Sequence, residues 1–174
     1  MTVDALAYES RDWGTGEIWL EGPVLVHHEL PGPRPERRSL PRRRGLSDPA
    51  PPALRLRDRL LAYFRGERDD FADVPLDLED ATPFARAVVS ALRAVPYGEV
   101  VTYGELAALA GYPSAHRAAG TVCARNRFPI VVPCHRVVAA SSLGRYGTLG
   151  TPYKRRLLAL EGVRDLAGEG ATAP

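Results

Sequence analysis

The stretch Val101–Arg125, VTYGELAALAGYPSAHRAAGTVCAR, decides how the second half of this chain folds. Thr102-Tyr103-Gly104-Glu105 puts a hydroxyl and a carboxylate three residues apart, the spacing of a capping box at a helix start. Leu106, Leu109 and Ala110 then share one face, and Gly111 supplies the stop. After the turn Gly111-Tyr112-Pro113, Ser114 is placed to cap a further helix running to about Arg125. Helix, tight turn, helix is the outline of a helix-turn-helix. The second helix is nonetheless poorly equipped to read bases, because major-groove readers project several long polar side chains. Its first turns, SAHRAAGTV, offer only His116 and Arg117 among small residues. Such a smooth helix can approach a partner closely, whether another helix or the walls of a narrow groove. Arg117 on it could act as a wedge inserted into a duplex.

Downstream, Pro129–Val138, PIVVPCHRVV, sets a thiol, an imidazole and a guanidinium between two apolar runs. Ile130–Val132 is β-branched, too short for a helix and bounded by prolines, so it reads as a buried strand that Pro133 stops. Side chains alternate along a strand, so Cys134 and His135 can cooperate only if the backbone leaves the strand at Pro133. A thiol is mostly protonated at neutral pH, and a neighbouring imidazole can accept its proton. That imidazole needs an orienting acceptor, and spacing alone does not choose among the acidic residues. Cys123 reads as a small core residue.

Working outward, Thr82-Pro83 and Thr151-Pro152 each pair a capping hydroxyl with a first-turn proline, predicting helices over 83–94 and 152–161. Leu56, Leu60, Leu61 and Phe64 predict an amphipathic helix over 54–65, and the acidic segment 67–81 a connector. Glu17–Leu20 and Val24–Leu30, split by Gly22-Pro23, predict a hairpin, joined by Asp4–Ser10 into a small sheet. Pro31–Pro52 has no apolar periodicity and predicts a solvated loop whose six arginines, Arg34, Arg37, Arg38, Arg42, Arg43 and Arg44, could touch a DNA backbone. Adjacent His27 and His28 point apart on a strand and do not make a metal site.

The 174 residues are 45% apolar and 25% charged, ordinary for a globular chain with a real core. A net charge of +2 does not by itself establish nucleic-acid binding, although Lys154 is the sole lysine among 23 basic residues. Two cysteines are too few for a disulfide framework, and neither a signal peptide nor a spanning segment of about 20 apolar residues is evident. A reduced, cytoplasmic protein that does not enter membranes is expected.

The fragments PYGEVVTYGELAALAG, AHRAAG, RNRFPI, PCHRVV and YKRRLLALEG, in this order, resemble the O6-alkylguanine-DNA alkyltransferase family. The resemblance runs from about Thr82 to Gly162. It implies direct-reversal repair, in which one molecule takes the alkyl group from O6 of guanine in double-stranded DNA onto its own cysteine, once and without metal or cofactor. O4-alkylthymine is a further conceivable substrate. By position, Cys134 is the implied nucleophile, His135 the proton acceptor through a water, and Glu161 the carboxylate that orients it. Arg117 falls on the family's arginine finger, and Tyr103 on the tyrosine that helps rotate the nucleotide out and protonates the base. Asn126 matches the family's asparagine, which is implied to bridge the recognition helix to the active-site turn. The carbonyls of Cys134 and Val137 are implied acceptors for the guanine amine, with Pro129, Tyr146, Gly147 and Lys154 around the pocket. Ser114, Ala118, Gly120 and Thr121 join Arg117 and Tyr103 against DNA.

The implied fold is α+β: a small amino-terminal sheet-plus-helix domain of ribonuclease H type over 1–78, carrying the arginine-rich loop, then a mostly helical winged-helix-like domain over 79–165 with a flexible tail over 166–174. A monomer is expected. Two departures stand out. Gly147-Thr148-Leu149-Gly150 replaces a glycine pair common in the family, and Thr121 follows Gly120 where many relatives have a second glycine. Two rivals remain open at this stage: a lesion sensor that binds without transfer, which would lack the cysteine, and a Cys-His hydrolase, which would not need Arg117 or Tyr103.

Overall fold

A computed structural model describes residues 3–32 and 49–164. The arginine-rich loop expected over 31–52 lies largely outside the described residues, and so does the expected tail. The α+β class holds, with the chain divided into two compact units. The first takes residues up to Glu79 together with Arg127–Val131, and the second takes Asp80–Asn126 and the chain from Val132 onward.

In the first unit, β1 (Val3–Ser10), β2 (Gly14–Glu21) and β3 (Val24–Gly32) form an antiparallel sheet in that order. The expected hairpin around Gly22-Pro23 is therefore present, with Glu21 opposite Val24. Helix α1 (Pro51–Phe64) packs on the sheet through Ala53, Leu56, Leu60, Tyr63 and Phe64. It begins three residues earlier than the apolar spacing suggests, because the proline pair opens the helix, where a missing N–H costs nothing. Leu61 is only half-buried. The connector 67–81 is irregular, as expected, and is tied back by Arg59, which forks onto Asp69 at 2.7 Å through both Nε and Nη2 and also reaches Asp73.

The expected strand over Ile130–Val132 is not there. Ile130 and Val131 are buried, as their side chains require, but they form a turn in which Ile130 takes φ 73°. A β-branched residue in the left-handed region is a steric outlier costing about 1–3 kcal/mol, so surrounding contacts must impose it. Those contacts come from β3. The His28 main-chain N–H donates to the Arg127 carbonyl at 2.8 Å, and its Nδ1 donates to the Pro129 carbonyl at 2.6 Å. Arg127 in turn donates to the Asp77 carbonyl at 2.8 Å.

In the second unit, α2 (Pro83–Arg93) starts as expected, with the Thr82 hydroxyl accepting from Ala85 N–H at 3.1 Å. The pair β4 (Val101–Thr102) and β5 (Val137–Val138) is parallel and two residues long. Helix α3 (Tyr103–Leu109) carries the full capping box, Thr102 accepting from Glu105 N–H and Glu105 from Thr102 N–H. Its buried face is Leu106 and Ala107, whereas Leu109, expected inside, is 64% exposed. The seven-residue helix ends before Leu109 completes another turn against the core. Helix α4 (His116–Ala124) begins later than expected, and Ser114 does not cap it. Ala115 N–H bonds to Tyr112 O, which spends the residues around Ser114 on a turn. Helix α5 (Gly150–Leu160) begins earlier than expected, and Thr151, inside it, donates to Gly144 O instead of capping.

His28 generates a pH dependence. Its Nδ1 keeps a proton to donate to Pro129, so Nε2 accepts from the Tyr8 hydroxyl at 2.6 Å and the ring is neutral. Burial is the main cause that holds its pKa down to about 4, against 6.5 in the open chain; the bond to Pro129 opposes this and His27 adds to it. As pH falls from 6.5 toward 4 the unfolded chain takes up a proton that the folded chain refuses, so stability drops, by about 3 kcal/mol at the acid end. In urea unfolding across this window, His28→Asn should remove that part of the slope. An unchanged slope would contradict a buried neutral imidazole.

Candidate active site

The geometry starts at Pro133. Its φ of −81° and ψ of 64° make it the centre of an inverse γ-turn, closed by Cys134 N–H to Val132 O at 2.8 Å. Cys134, His135 and Arg136 follow as one turn of 3-10 helix, all buried, before Val137–Val138 pairs with Val101–Thr102. At three residues per turn, consecutive side chains diverge by about 120° instead of alternating by 180°. The backbone does leave extended geometry at Pro133, as cooperation between Cys134 and His135 requires.

Glu161 caps the end of α5 and meets two of those side chains. His135 Nε2 lies 2.7 Å from Oε1, while Arg136 donates from Nε to Oε2 at 2.9 Å and from Nη2 to Oε1 at 3.0 Å. A third donor is Gly98 N–H, 3.0 Å from Oε2. Gly98 has φ 80°, and a Cβ there would come within 2.9 Å of the Glu161 carbonyl, so only glycine fits. Arg136 also donates to Val95 O at 2.8 Å and lies over the Tyr97 ring at 5.7 Å. A carboxylate at a helix C-terminus faces the wrong end of the dipole, and burial also penalises its charge. Even so, the hydrogen bond from His135 and then the bonds and charge of Arg136 outweigh burial and hold the Glu161 carboxyl well below the usual carboxylate range.

The ionised carboxylate settles the imidazole. An ionised carboxylate only accepts, so His135 Nε2 carries the proton. Burial lowers the His135 pKa, with the bond and charge of Glu161 opposing and the Arg136 and Lys154 charges assisting. The ring is therefore neutral, with its basic lone pair on Nδ1. Cys134 is likewise governed by burial, which pushes the thiol up, while the hydrogen bond from Asn126, the Lys154 charge and the Tyr146 hydroxyl pull it back. Asn126 Nδ2 donates both to Cys134 Sγ at 3.1 Å and to Val132 O at 2.8 Å. The resting sulfur is a thiol, and ionising it requires a base.

Lys154 is wholly buried, its ammonium donating to the carbonyls of Val137 and Leu143, each at 2.5 Å. Burial lowers its pKa to about 8, against the pull of Cys134 and Cys123. The lysine thus braces the two sides of the loop after the nucleophile. Cys123 is pushed up to about 12, first by burial and then by Cys134, and stays protonated. Tyr146 is buried and stacks on Tyr153 with ring centres 6.2 Å apart; Gly147 follows it with φ 41°. Pro129 falls in the other unit, where its carbonyl takes the His28 bond.

On the helix-turn-helix, Ser114, His116, Arg117, Ala118 and Thr121 are exposed, and Ala119 faces inward. Thr121 turns its hydroxyl back to Arg117 O at 3.2 Å. Tyr103 is half-buried at the start of α3, and its ring carbons lie 3.7 Å from where a Cβ on Gly120 would stand. Its hydroxyl is 3.4 Å from the corresponding position on Gly144. Burial raises the Tyr103 pKa, with Cys123 and Cys134 adding to it, so the phenol stays protonated. Sequence reasoning missed Arg136, Gly98 and the bracing work of Lys154. A signal existed for the first, since an arginine between two apolar runs has to find a buried acceptor.

The family model described as "6-O-methylguanine DNA methyltransferase, DNA binding domain" matches residues 83–163. A methylated-DNA–protein-cysteine methyltransferase of Methanopyrus kandleri is 48% identical over 107 residues, 62% of this chain and 79% of that protein. The Mycobacterium tuberculosis protein of the same name is 50% identical over 105 residues, 60% of this chain and 62% of its own length. Mycobacterium tuberculosis OGT, solved in complex with DNA, superposes with a TM-score of 0.73 at 38% identity, covering 91% of this chain and 92% of that one. The O6-methylguanine-DNA methyltransferase of Pyrococcus kodakaraensis superposes with a TM-score of 0.67 at 27% identity, over 93% and 100% of the two chains. With half of the aligned residues shared and the fold matched over nearly the whole length, the chain belongs to the methylated-DNA–protein-cysteine methyltransferase family.

Proposed function

We propose that the protein repairs O6-alkylguanine in double-stranded DNA by moving the alkyl group to its own Cys134. The observation that carries this is the Cys134–His135 turn with Glu161 fixing the imidazole at 2.7 Å, in a chain of this family. His135 Nδ1 takes the thiol proton through a water, the sulfur attacks the alkyl carbon in line, and the carbon–oxygen bond breaks. Tyr103 gives its phenol proton to the departing base, and the proton that His135 took up passes through solvent to restore the phenol and the neutral imidazole. The products are a thioether on Cys134 and an unmodified guanine, so atoms and charge balance. A thioether offers no good leaving group, and each molecule therefore acts once.

An alkyl carbon on guanine O6 is stacked inside the duplex, and flipping it out costs a few kcal/mol. Arg117, exposed on a smooth helix face with Ser114, Ala118 and Thr121 beside it, suits insertion through the minor groove into the space left behind. Gly120 and Asn126 serve from the other side, the first by letting Tyr103 close, the second by bonding Cys134. The carbonyls of Cys134 and Val137 would receive the guanine amine, the latter through the lone pair that Lys154 does not use. Tyr146 and Gly147 would wall the base. O4-alkylthymine fits the same chemistry. We read residues 79–165 as the DNA-binding and transfer domain, winged-helix-like through α3, α4 and the β4–β5 pair, and the first domain as ribonuclease H-like. A monomer acting on cytoplasmic DNA suits a free thiol; among the described residues, no helix is long and apolar enough to cross a membrane.

Three outcomes are expected. With duplex DNA carrying radiolabelled O6-methylguanine, label should reach a stoichiometric plateau on the protein, and Cys134→Ala should abolish uptake while keeping DNA binding. Continued turnover on a model ester without a plateau would instead indicate a hydrolase. Arg117→Ala should slow transfer from duplex DNA by about tenfold or more, about 1.4 kcal/mol, and leave reaction with free O6-benzylguanine nearly unchanged; equal losses on both would remove the wedge role. Glu161→Gln leaves the buried Arg136 charge without its counter-ion and should cost about 3 kcal/mol of stability in urea unfolding, with slower transfer. A loss below about 0.5 kcal/mol would show that the cluster does not act as an ion pair.

A further inference from the structure

Arg127–Val131 is a five-residue excursion between Asn126 and Val132. Asn126 Nδ2 closes its base by donating to Val132 O at 2.8 Å. Its interior is gripped by one residue from β3, His28, which bonds the carbonyls of both Arg127 and Pro129. Immediately after Pro129 comes Ile130, buried with φ 73°, a conformation that its branched side chain resists. Three residues further on, the chain enters the γ-turn at Pro133 that presents Cys134. The imidazole is itself seated, with Tyr8 hydroxyl on Nε2 at 2.6 Å, so its donor cannot rotate away. Nothing in the transfer chemistry uses His28, yet it is a buried polar side chain aimed at the backbone leading to the nucleophile. Strain of this kind persists near functional sites when surrounding contacts over-determine it.

We infer that His28 is a positioning residue for alkyl transfer: by clamping the Pro129 carbonyl it holds the Ile130 turn in its left-handed conformation, and so fixes the path by which the chain enters the Cys134 turn. The inference rests on Cys134 being the alkyl acceptor. It gives the amino-terminal sheet a part in the reaction through continuity of the chain. Small displacements of an attacking atom are costly to rate, so a loosened clamp acts on reactivity and not on DNA affinity.

Two variants separate positioning from mere support. His28→Asn keeps a side-chain donor where Nδ1 stands, and His28→Leu removes it. Each is assayed as the full chain for single-turnover transfer at saturating O6-methylguanine duplex, for affinity toward undamaged duplex, and for folding by circular dichroism. His28→Leu should slow transfer by about tenfold or more with affinity unchanged, and His28→Asn should recover to within about threefold of wild type. A folded His28→Leu protein with the wild-type rate overturns the inference. So does equal slowing by both variants, or a parallel loss of affinity. If His28→Leu does not fold, Tyr8→Phe decides, since it removes only the hydroxyl seating Nε2: slower transfer at unchanged affinity supports the clamp, and an unchanged rate overturns it. A wild-type protein that takes up no label overturns the transfer reading and this inference with it, whereas wild-type transfer with insensitive variants overturns this inference alone.

Discussion

A single ionised carboxylate, Glu161, organises the site. It receives His135, a two-pronged Arg136 and the Gly98 amide, and no buried charge in the cluster is left without compensation. Burying such a group is expensive unless its oxygens are satisfied, and a partly satisfied version would be worse than an apolar core. What this arrangement secures is a protonation pattern. With Glu161 ionised and Arg136 taking up its charge, His135 is neutral and holds its proton on Nε2, which leaves Nδ1 as the base. Without that constraint the two tautomers would compete, and one of them could accept no proton at Nδ1.

The thiol has the complementary need. Burial keeps Cys134 protonated, while Asn126, Lys154 and Tyr146 soften the penalty for the thiolate. A sulfur that is quiet at rest and ionisable on demand suits a protein that reacts once, because premature oxidation or alkylation would waste the molecule. Lys154 contributes by holding the Val137 and Leu143 carbonyls together through its buried ammonium, so the loop after the nucleophile keeps its shape. The capping box at Thr102 works alongside it. It starts α3 at Tyr103, and β4 pairs Thr102 with Val138, so the half-buried phenol and the active-site turn are set by one short run of backbone.

Much of this was legible in the sequence. Capping chemistry is local, and both Thr82 and the Thr102–Glu105 box were readable because a hydroxyl and an amide three residues apart suffice. The hairpin around Gly22-Pro23 and the apolar stripe of α1 were readable for the same reason. Ser114 and Thr151 failed as caps because a competing turn and a competing carbonyl, neither visible in spacing, claimed those positions. Ile130–Val132 failed more instructively. Its burial was right and its conformation wrong, since the left-handed Ile130 is imposed by His28, about a hundred residues away in the chain, and propensity cannot see so distant a constraint. In the site, the resemblance supplied Glu161 as the partner of His135, but Arg136 and Gly98 emerged only from the fold. Their partners are separated from them by 25 and 63 residues.

The central claim is the protonation state of His135, and nitrogen NMR of the labelled imidazole tests it most directly. A neutral ring protonated at Nε2 is expected, gaining its second proton only below the ordinary histidine range because burial lowers its pKa, with Nδ1 at the chemical shift of an unprotonated nitrogen. A ring protonated at Nδ1, or one that gains a proton near the ordinary histidine value, would contradict it.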